Sequence, residues 1–317
     1  MNFTGKHTIV TGGANGIGLC IAESFLLAGA AVTVIDIDQR AGEYLQHRHD
    51  KLRLYHGDIA EKAVLENFAL SLAEPVDCLI NNACISRRGL LSVCSYEDFE
   101  YVQRVGVAAP YYLTSLLIKD NKLATNASIV NIASTRAFQS QPDTESYSAV
   151  KGGIIALTHA MAVSLAGRAR VNCISPGWIE TNDSNVHSEQ DQRQHSAGRV
   201  GIPADIAAMV MFLCSNKAGF ICHLIVEKAL KAGIVRISNE APPKTHHLIN
   251  LAEQAGLFDV LSEHQRKLLG ELNPLNIDAR YPEHKERIAQ TLSAEKTARL
   301  FNETEEFLCW IKKELEK

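Results

Sequence analysis

The stretch Thr11-Gly-Gly-Ala-Asn-Gly-Ile-Gly18 decides the fold, because it joins a short apolar run, His7–Thr11, to an amphipathic pattern at 17–28. Glycines at 12, 16 and 18 let the backbone turn tightly and approach a pyrophosphate. They also let the following helix pack closely on the sheet, with its first amides aimed at phosphate. A glycine-rich turn alone carries little weight; between a strand and a helix it carries much more. Gly12, Asn15, Gly16, Ile17 and Gly18 are the candidate contacts in this loop. Asp36 ends the second apolar run, 18 residues beyond Gly18. A carboxylate there accepts hydrogen bonds from both ribose hydroxyls of an adenosine and repels a 2′-phosphate, which favours NAD over NADP.

Working outward, the first 215 residues alternate short apolar runs with longer helical patterns. The runs are His7–Thr11, Ala31–Asp36, Leu52–Tyr55, Cys78–Asn81, Ser128–Ile132 and Arg170–Ile174. Helical patterns fall near 17–28, 61–73, 96–118, 145–166 and 203–214. That alternation predicts an α/β fold, a doubly wound parallel sheet of Rossmann type. The runs are rich in Val and Ile and barely alternate, as strands covered on both faces do. In His56-Gly-Asp-Ile-Ala60, after the third run, Asp58 and Ile59 are placed to meet an adenine edge, although Asp58 serves equally as a turn cap.

The chemistry is carried by Ser134, Tyr147 and Lys151. Tyr147 and Lys151 are four apart and share one helix face. There the lysine ammonium can favour the phenolate and hold a nicotinamide ribose. The tyrosine then serves as acid or base toward a carbonyl or alcohol oxygen. Ser134, just after a strand, can hydrogen-bond that oxygen as charge develops on it. A lone Tyr-x-x-x-Lys pair is usually a solvated helix face; 13 residues after a strand-end serine and downstream of a nucleotide loop, it is a catalytic set.

TGGANGIG, NNAC at 81–84, NIAS ending at Ser134, YSAVK at 147–151 and RVNCISPGWIET at 170–181 follow in order and spacing. As a set they resemble the short-chain dehydrogenase/reductase family over residues 3–221. The resemblance implies NAD-dependent hydride transfer between the nicotinamide and a secondary alcohol or ketone, with Tyr147 moving the proton. It also implies that Asn82 and Ala83 line the cofactor and that Pro176, Gly177, Ile179 and Thr181 hold its carboxamide end. Two positions depart from the family. Cys84 stands where glycine is usual. Gly106, in Val105-Gly-Val-Ala-Ala-Pro-Tyr111, stands where the family has an asparagine that holds a water of the proton relay. Glycine there leaves room for an extra water or reroutes the relay.

After Ala218-Gly-Phe-Ile221 the character changes. The family's final strand is missing, and helical patterns follow near 222–232, 245–256, 262–271 and 292–315, interrupted by Pro242-Pro243, Pro274 and Pro282. HLIVEKALKA at 223–232, PPKTHHLINLAEQAG at 242–256, ARYPE at 279–283 and FLCWIKKEL at 307–315 resemble the HEPN family of helical domains. The expected division is therefore 1–221, a dehydrogenase domain, and 222–317, an incomplete HEPN-like helical domain. Nuclease members of that family carry an arginine, four to six residues, then a histidine. Arg280 and His284 have three residues between them, and Pro282 interrupts, so a binding or packing role is the expectation. Without its last strand the sheet would expose the edge of Arg170–Ile174. Leu224–Glu227 could replace that strand, but Glu227 four residues before Lys231 favours helix.

The net charge of −4 offers no bulk attraction for nucleic acid or an anionic membrane. Hydrophobic residues at 46% and charged residues at 21% suffice for sizeable cores. Eight cysteines are scattered without a CxxC pair, which points to reduced thiols in the cytoplasm and to no metal site. No apolar run spans a bilayer. The expected partners are a small alcohol or ketone and, as in many relatives, further copies of the chain. A module that binds dinucleotide without turnover, its helical tail mediating association, is the competing reading.

Overall fold

Val10, Val34, Leu79, Ile80 and Ile129 lie on adjacent strands and are wholly removed from solvent, because helices cover both faces of the sheet that they build. The computed structural model describes residues 1–181, 187–195, 197–215, 218, 230–231, 234–236, 238, 243, 245–278 and 294–315. Its first unit, Met1–Asn216, starts with β1 (His7–Thr11), α1 (Gly16–Leu27), β2 (Ala31–Asp36), α2 (Gln39–Arg48), β3 (Leu52–His56), α3 (Lys62–Ser71) and β4 (Val76–Asn81). It continues with α4 (Tyr96–Gln103), a π-helical turn at Arg104–Ala108, α5 (Ala109–Lys119), β5 (Leu123–Ile132), α6 (Glu145–Ser164), β6 (Ala169–Ile174), α7 (Glu189–Arg193) and α8 (Pro203–Cys214).

The strands are all parallel and lie in the order β3-β2-β1-β4-β5-β6. Strand order reverses between β1 and β4, and a crevice opens there beyond the carboxyl ends of the strands. Leu65, Phe68 and Leu117 bury one sheet face; Ile21, Phe25 and Val210 bury the other. Arg170 on β6 donates from Nη1 to the Leu213 carbonyl at 2.7 Å and from Nη2 to the Ser215 carbonyl at 3.3 Å. A guanidinium thereby caps the carbonyl end of α8, where positive charge is favoured. Among the described residues β6 is the last strand, so the sheet has six.

The second unit, Lys217–Lys317, has its own core. Its described helices are α9 (Leu248–Gln254), α10 (Glu263–Asp278) and α11 (Ala294–Leu315). Leu248, Leu251, Leu269, Leu272, Phe307 and Ile311 are buried together. His247 caps α9, its Nδ1 accepting from the Asn250 amide at 3.4 Å. One expectation is corrected: Pro274 does not interrupt, and the backbone of α10 runs through it to Asp278. A proline removes one donor from the helical ladder and crowds the carbonyl four residues earlier, a cost set against the burial of Leu268, Leu269 and Leu272 in the preceding turns. The segment Leu224–Glu227 and the pair Arg280 and His284 lie outside the described residues.

Candidate active site

Gly12 begins the site with φ 64°, a left-handed conformation, and a Cβ there would lie 2.9 Å from Ala83 Cα. A Cβ on Gly18 would stand 2.0 Å from the Gly12 carbonyl oxygen. Any side chain at either position would force the loop away from the strands and the helix. Asn82 locks it in place, its Nδ2 donating to the carbonyls of Thr11 at 3.1 Å and Gly12 at 2.9 Å. Thr11 Oγ1 in turn accepts from the amides of Asn82 and Ala83, each at 3.1 Å. The amide of Asn82 is thus engaged in holding the loop.

Asp36 is buried at the end of β2 and fixed from two sides. The Ala14 amide donates to its Oδ2 at 2.8 Å and the Asp38 amide to its Oδ1 at 2.9 Å. Asn15 Nδ2 donates to Asp38 Oδ2 at 3.1 Å. That bond and the Ala41 amide hold the Asp38 carboxyl below its usual range, the amide contributing most. Asp58 caps a turn, the alternative given for it, and it also lines the cleft. It accepts from the Ala60 amide at 2.9 Å and from the Tyr101 hydroxyl at 2.8 Å. Burial first, and then this bond to a carboxylate, push the Tyr101 phenol up. The guanidinium groups of Arg87 and Arg104 each lie 5.8 Å from its ring centre.

One cleft of about 890 Å³ brings the candidate residues together. Gly12, Asn15, Gly16, Ile17, Asp36, Asp58, Ile59, Asn82 and Ala83 line it, as do Ser134, Tyr147, Lys151, Pro176, Gly177, Ile179 and Thr181. Gly18 supports the loop from behind. Sequence reasoning missed Tyr101, Ile37, Ile85 and Val105, which also line the cleft. An aromatic in an amphipathic helix carries no mark that separates a wall from a core.

Ser134 is buried, and its Oγ accepts from the Arg136 amide at 3.2 Å, leaving its proton free to donate. Lys151 is buried on α6, with Nζ donating to the Ile132 carbonyl at 2.7 Å and lying 5.3 Å from the Tyr147 ring centre. The start of α6 is tethered by acids that the sequence did not single out. Asp143, at φ 65°, accepts from the amides of Leu91 at 3.0 Å and Ser92 at 3.1 Å and from the Ser92 hydroxyl. Those bonds, the hydroxyl's first, hold its carboxyl below the usual range. Glu145 accepts from the Leu90 amide at 3.1 Å.

Gly106 sits buried in the π-helical turn, a widening of the helix often found at functional sites. The room expected beside it is filled. A Cβ at 106 would lie 2.2 Å from Val150 Cγ1, so the side chain before Lys151 occupies the space that a larger residue would take. Further along, the Ile179–Gly201 bridge and the Glu180 amide bond to the Gly201 carbonyl at 2.9 Å close the loop beside the cleft. Arg199 clamps Asp205 at 2.7 and 2.6 Å, and Asp205 also accepts from the Ile202 amide at 2.9 Å. The arginine first, then the amide, hold the Asp205 carboxyl at about 2.

A doubly wound sheet, a glycine loop at its switch point and a Ser-Tyr-Lys set in one cleft define a class of oxidoreductases. The chain belongs to the short-chain dehydrogenase/reductase family: residues 12–225 match the family model described as enoyl-(acyl carrier protein) reductase. Residues 215–315 match the HEPN domain model. An uncharacterized oxidoreductase of Thermotoga maritima is 42% identical over 234 residues, 68% of this chain and 91% of that protein. A 3-oxoacyl-[acyl-carrier-protein] reductase of Chlamydia pneumoniae is 33% identical, over 70% of this chain and 94% of its own. Among solved structures, an apo SCOR enzyme from Clostridium thermocellum shares 43% identity at a TM-score of 0.62, covering 67% of this chain and 87% of that one. A 3-ketoacyl-(acyl-carrier-protein) reductase from Brucella melitensis complexed with NADH shares 29% identity at a TM-score of 0.62, over 69% and 95%. No described helix is long and apolar enough to cross a membrane.

Proposed function

We propose that the chain is an NAD-dependent oxidoreductase that interconverts a secondary alcohol and a ketone, with Tyr147 as the acid or base. The carrying observation is that Ser134, Tyr147 and Lys151 line the same cleft as the glycine loop and Asp36. The glycine loop, whose close approaches exclude any side chain, fits a pyrophosphate. Asp36 at the end of β2 fits a ribose diol. With Asp38 beside it, a 2′-phosphate would face two carboxylates, which favours NAD over NADP. Asn15, Gly16 and Ile17 would contact the phosphates, Asp58 and Ile59 the adenine, and Pro176, Gly177, Ile179 and Thr181 the carboxamide end.

When bound, the nicotinamide supplies or accepts the hydride. Tyr147 then gives a proton to the carbonyl oxygen on reduction, or takes one from the alcohol on oxidation. Ser134 donates a hydrogen bond to that oxygen, and the Lys151 ammonium, held by the Ile132 carbonyl, stabilises negative charge on the phenol oxygen. The relatives named as reductases and the solved relative with NADH support this reading.

Two domains, 1–221 for this chemistry and 222–317 for association, complete the proposal, with copies of the chain joining in an oligomer. The free thiols among the described residues support a reducing cytoplasm. Calorimetric titration tests the cofactor: NAD should bind at least about tenfold more tightly than NADP, and Asp36→Ala should shrink that ratio. Absence of NAD binding at millimolar concentration would overturn the proposal. The filled space beside Gly106 favours a second reading, a dinucleotide-binding module of weak or no turnover; binding without turnover on any alcohol or ketone would select it.

A further inference from the structure

Beyond Ser134 and Tyr147 the walls continue into a second hollow of about 800 Å³. Its lining on this side is polar, with Arg136, Gln139, Gln194 and His195 beside Trp178. Arg136 follows Ser134 by two residues, in the short turn Thr135–Ala137. Its backbone is fixed by the amide bond to Ser134 Oγ at 3.2 Å, and its Nη1 donates to the Gln139 carbonyl at 3.2 Å. Arg136 is partly buried as a residue, and among the described residues no carboxylate forms an ion pair with its guanidinium. Asp191, the acid in this wall, is turned to its own helix, accepting from the Ser188 amide at 3.0 Å and hydroxyl at 2.6 Å. His195 Nε2 is buried without a hydrogen-bond partner in the same wall.

No carboxylate among the described residues takes up the remaining donors of Arg136, and its fork fits a carboxylate in bidentate geometry. We infer that the substrate is a small oxo or hydroxy acid, its carboxylate bound by Arg136. The inference rests on the oxidoreductase reading above. In the reductive direction the hydride of NADH adds to the ketone carbon and the Tyr147 proton to its oxygen. The products are the hydroxy acid and NAD, with the carboxylate unchanged. The uncharged amides of Gln139 and Gln194 and the indole of Trp178 complete a lining that suits a compact polar molecule.

The test uses the full chain with NADH, acetoacetate and 4-oxopentanoate, and the methyl ester of each. NADH affinity is measured separately by its fluorescence, so failure of the cofactor reading is seen independently. The acids should exceed their esters in kcat/KM by about tenfold or more, because a site built for an anion is left unpaired by the ester. That ratio should collapse in Arg136→Met and survive in part in Arg136→Lys, which keeps the charge but not the fork. A ratio taken within one variant is insensitive to how much of that variant folds. The inference is overturned if NADH binds but the esters match the acids. It is equally overturned if the preference persists in Arg136→Met, or if neither acid is turned over nor bound to the NADH complex at about 10 mM.

Discussion

At the residue scale, the role proposed for Tyr147 rests on its phenol sharing a cleft with Ser134 and on the Lys151 ammonium 5.3 Å from its ring. Tyr147→Phe removes the exchangeable proton and little volume. Turnover should fall by about 10²–10⁴-fold while NAD affinity stays within about twofold, as single-turnover kinetics and calorimetry would show. Surviving turnover would take the proton transfer away from Tyr147. Gly106 is a different kind of residue, defined by what stands next to it. Gly106→Asn alone must push Val150 aside, a strain of about 1–3 kcal/mol, and with it the helix carrying Lys151. Gly106→Asn with Val150→Ala should recover most of that loss in a urea melt. Additive losses in the double variant would break the link between the two positions. The sequence shows the glycine as a departure from its family, but the filler lies 44 residues away and is visible only in three dimensions.

At the scale of elements, β1, β2 and the course of α6 were legible because their apolar residues are bounded by glycine or acid and buried as their pattern demands. Helix α2 was not, since only Gly42 and Leu45 of its ten residues are buried and the rest of Gln39–Arg48, Ala41 and Tyr44 aside, is polar. The candidate catalytic side chains could be named from spacing. The residues that brace the cleft, Thr11, Asp143 and Tyr101, could not, because a threonine ending a strand or an acid in a turn has many ordinary uses. The same holds for Asp205, which stands in the first turn of α8 and clamps Arg199 and the Ile202 amide. Its folded carboxyl, at about 2, lies below that of an unfolded aspartate. The stabilisation is therefore present above the unfolded value, about 3.9, and is lost as pH falls through the folded one. Both side chains are solvent-exposed, so the effect is small. The gap in urea midpoint between the native chain and Asp205→Asn should be constant from neutral pH to about 4 and close as pH falls toward 2. A gap that stays open at the acid end would remove the clamp from the stability of this loop.

At the scale of the whole molecule, the chain contains separate cores, two on the faces of the sheet and one among Leu230, Leu251, Leu269, Leu300 and Phe307. The change from α/β alternation to helices was legible in the sequence, and the compact units meet at Asn216 and Lys217. Every described residue lining the candidate cofactor cleft belongs to the first unit. A ligand that binds only the folded form of one unit stabilises that unit by mass action, by about 2.7 kcal/mol at a hundredfold excess over its Kd. For a domain of this size that moves the midpoint by roughly 5–10 °C. Scanning calorimetry should therefore resolve two transitions, of which NAD raises one by about that amount and leaves the other in place. Aromatic signals separate them: Trp178 reports the first unit and Trp310, stacked on Phe307 at 5.7 Å, the second. If NAD raised both transitions together, the two units would share one cooperative unfolding, and the helical segment would have to be treated as part of the oxidoreductase rather than as a domain joined to it.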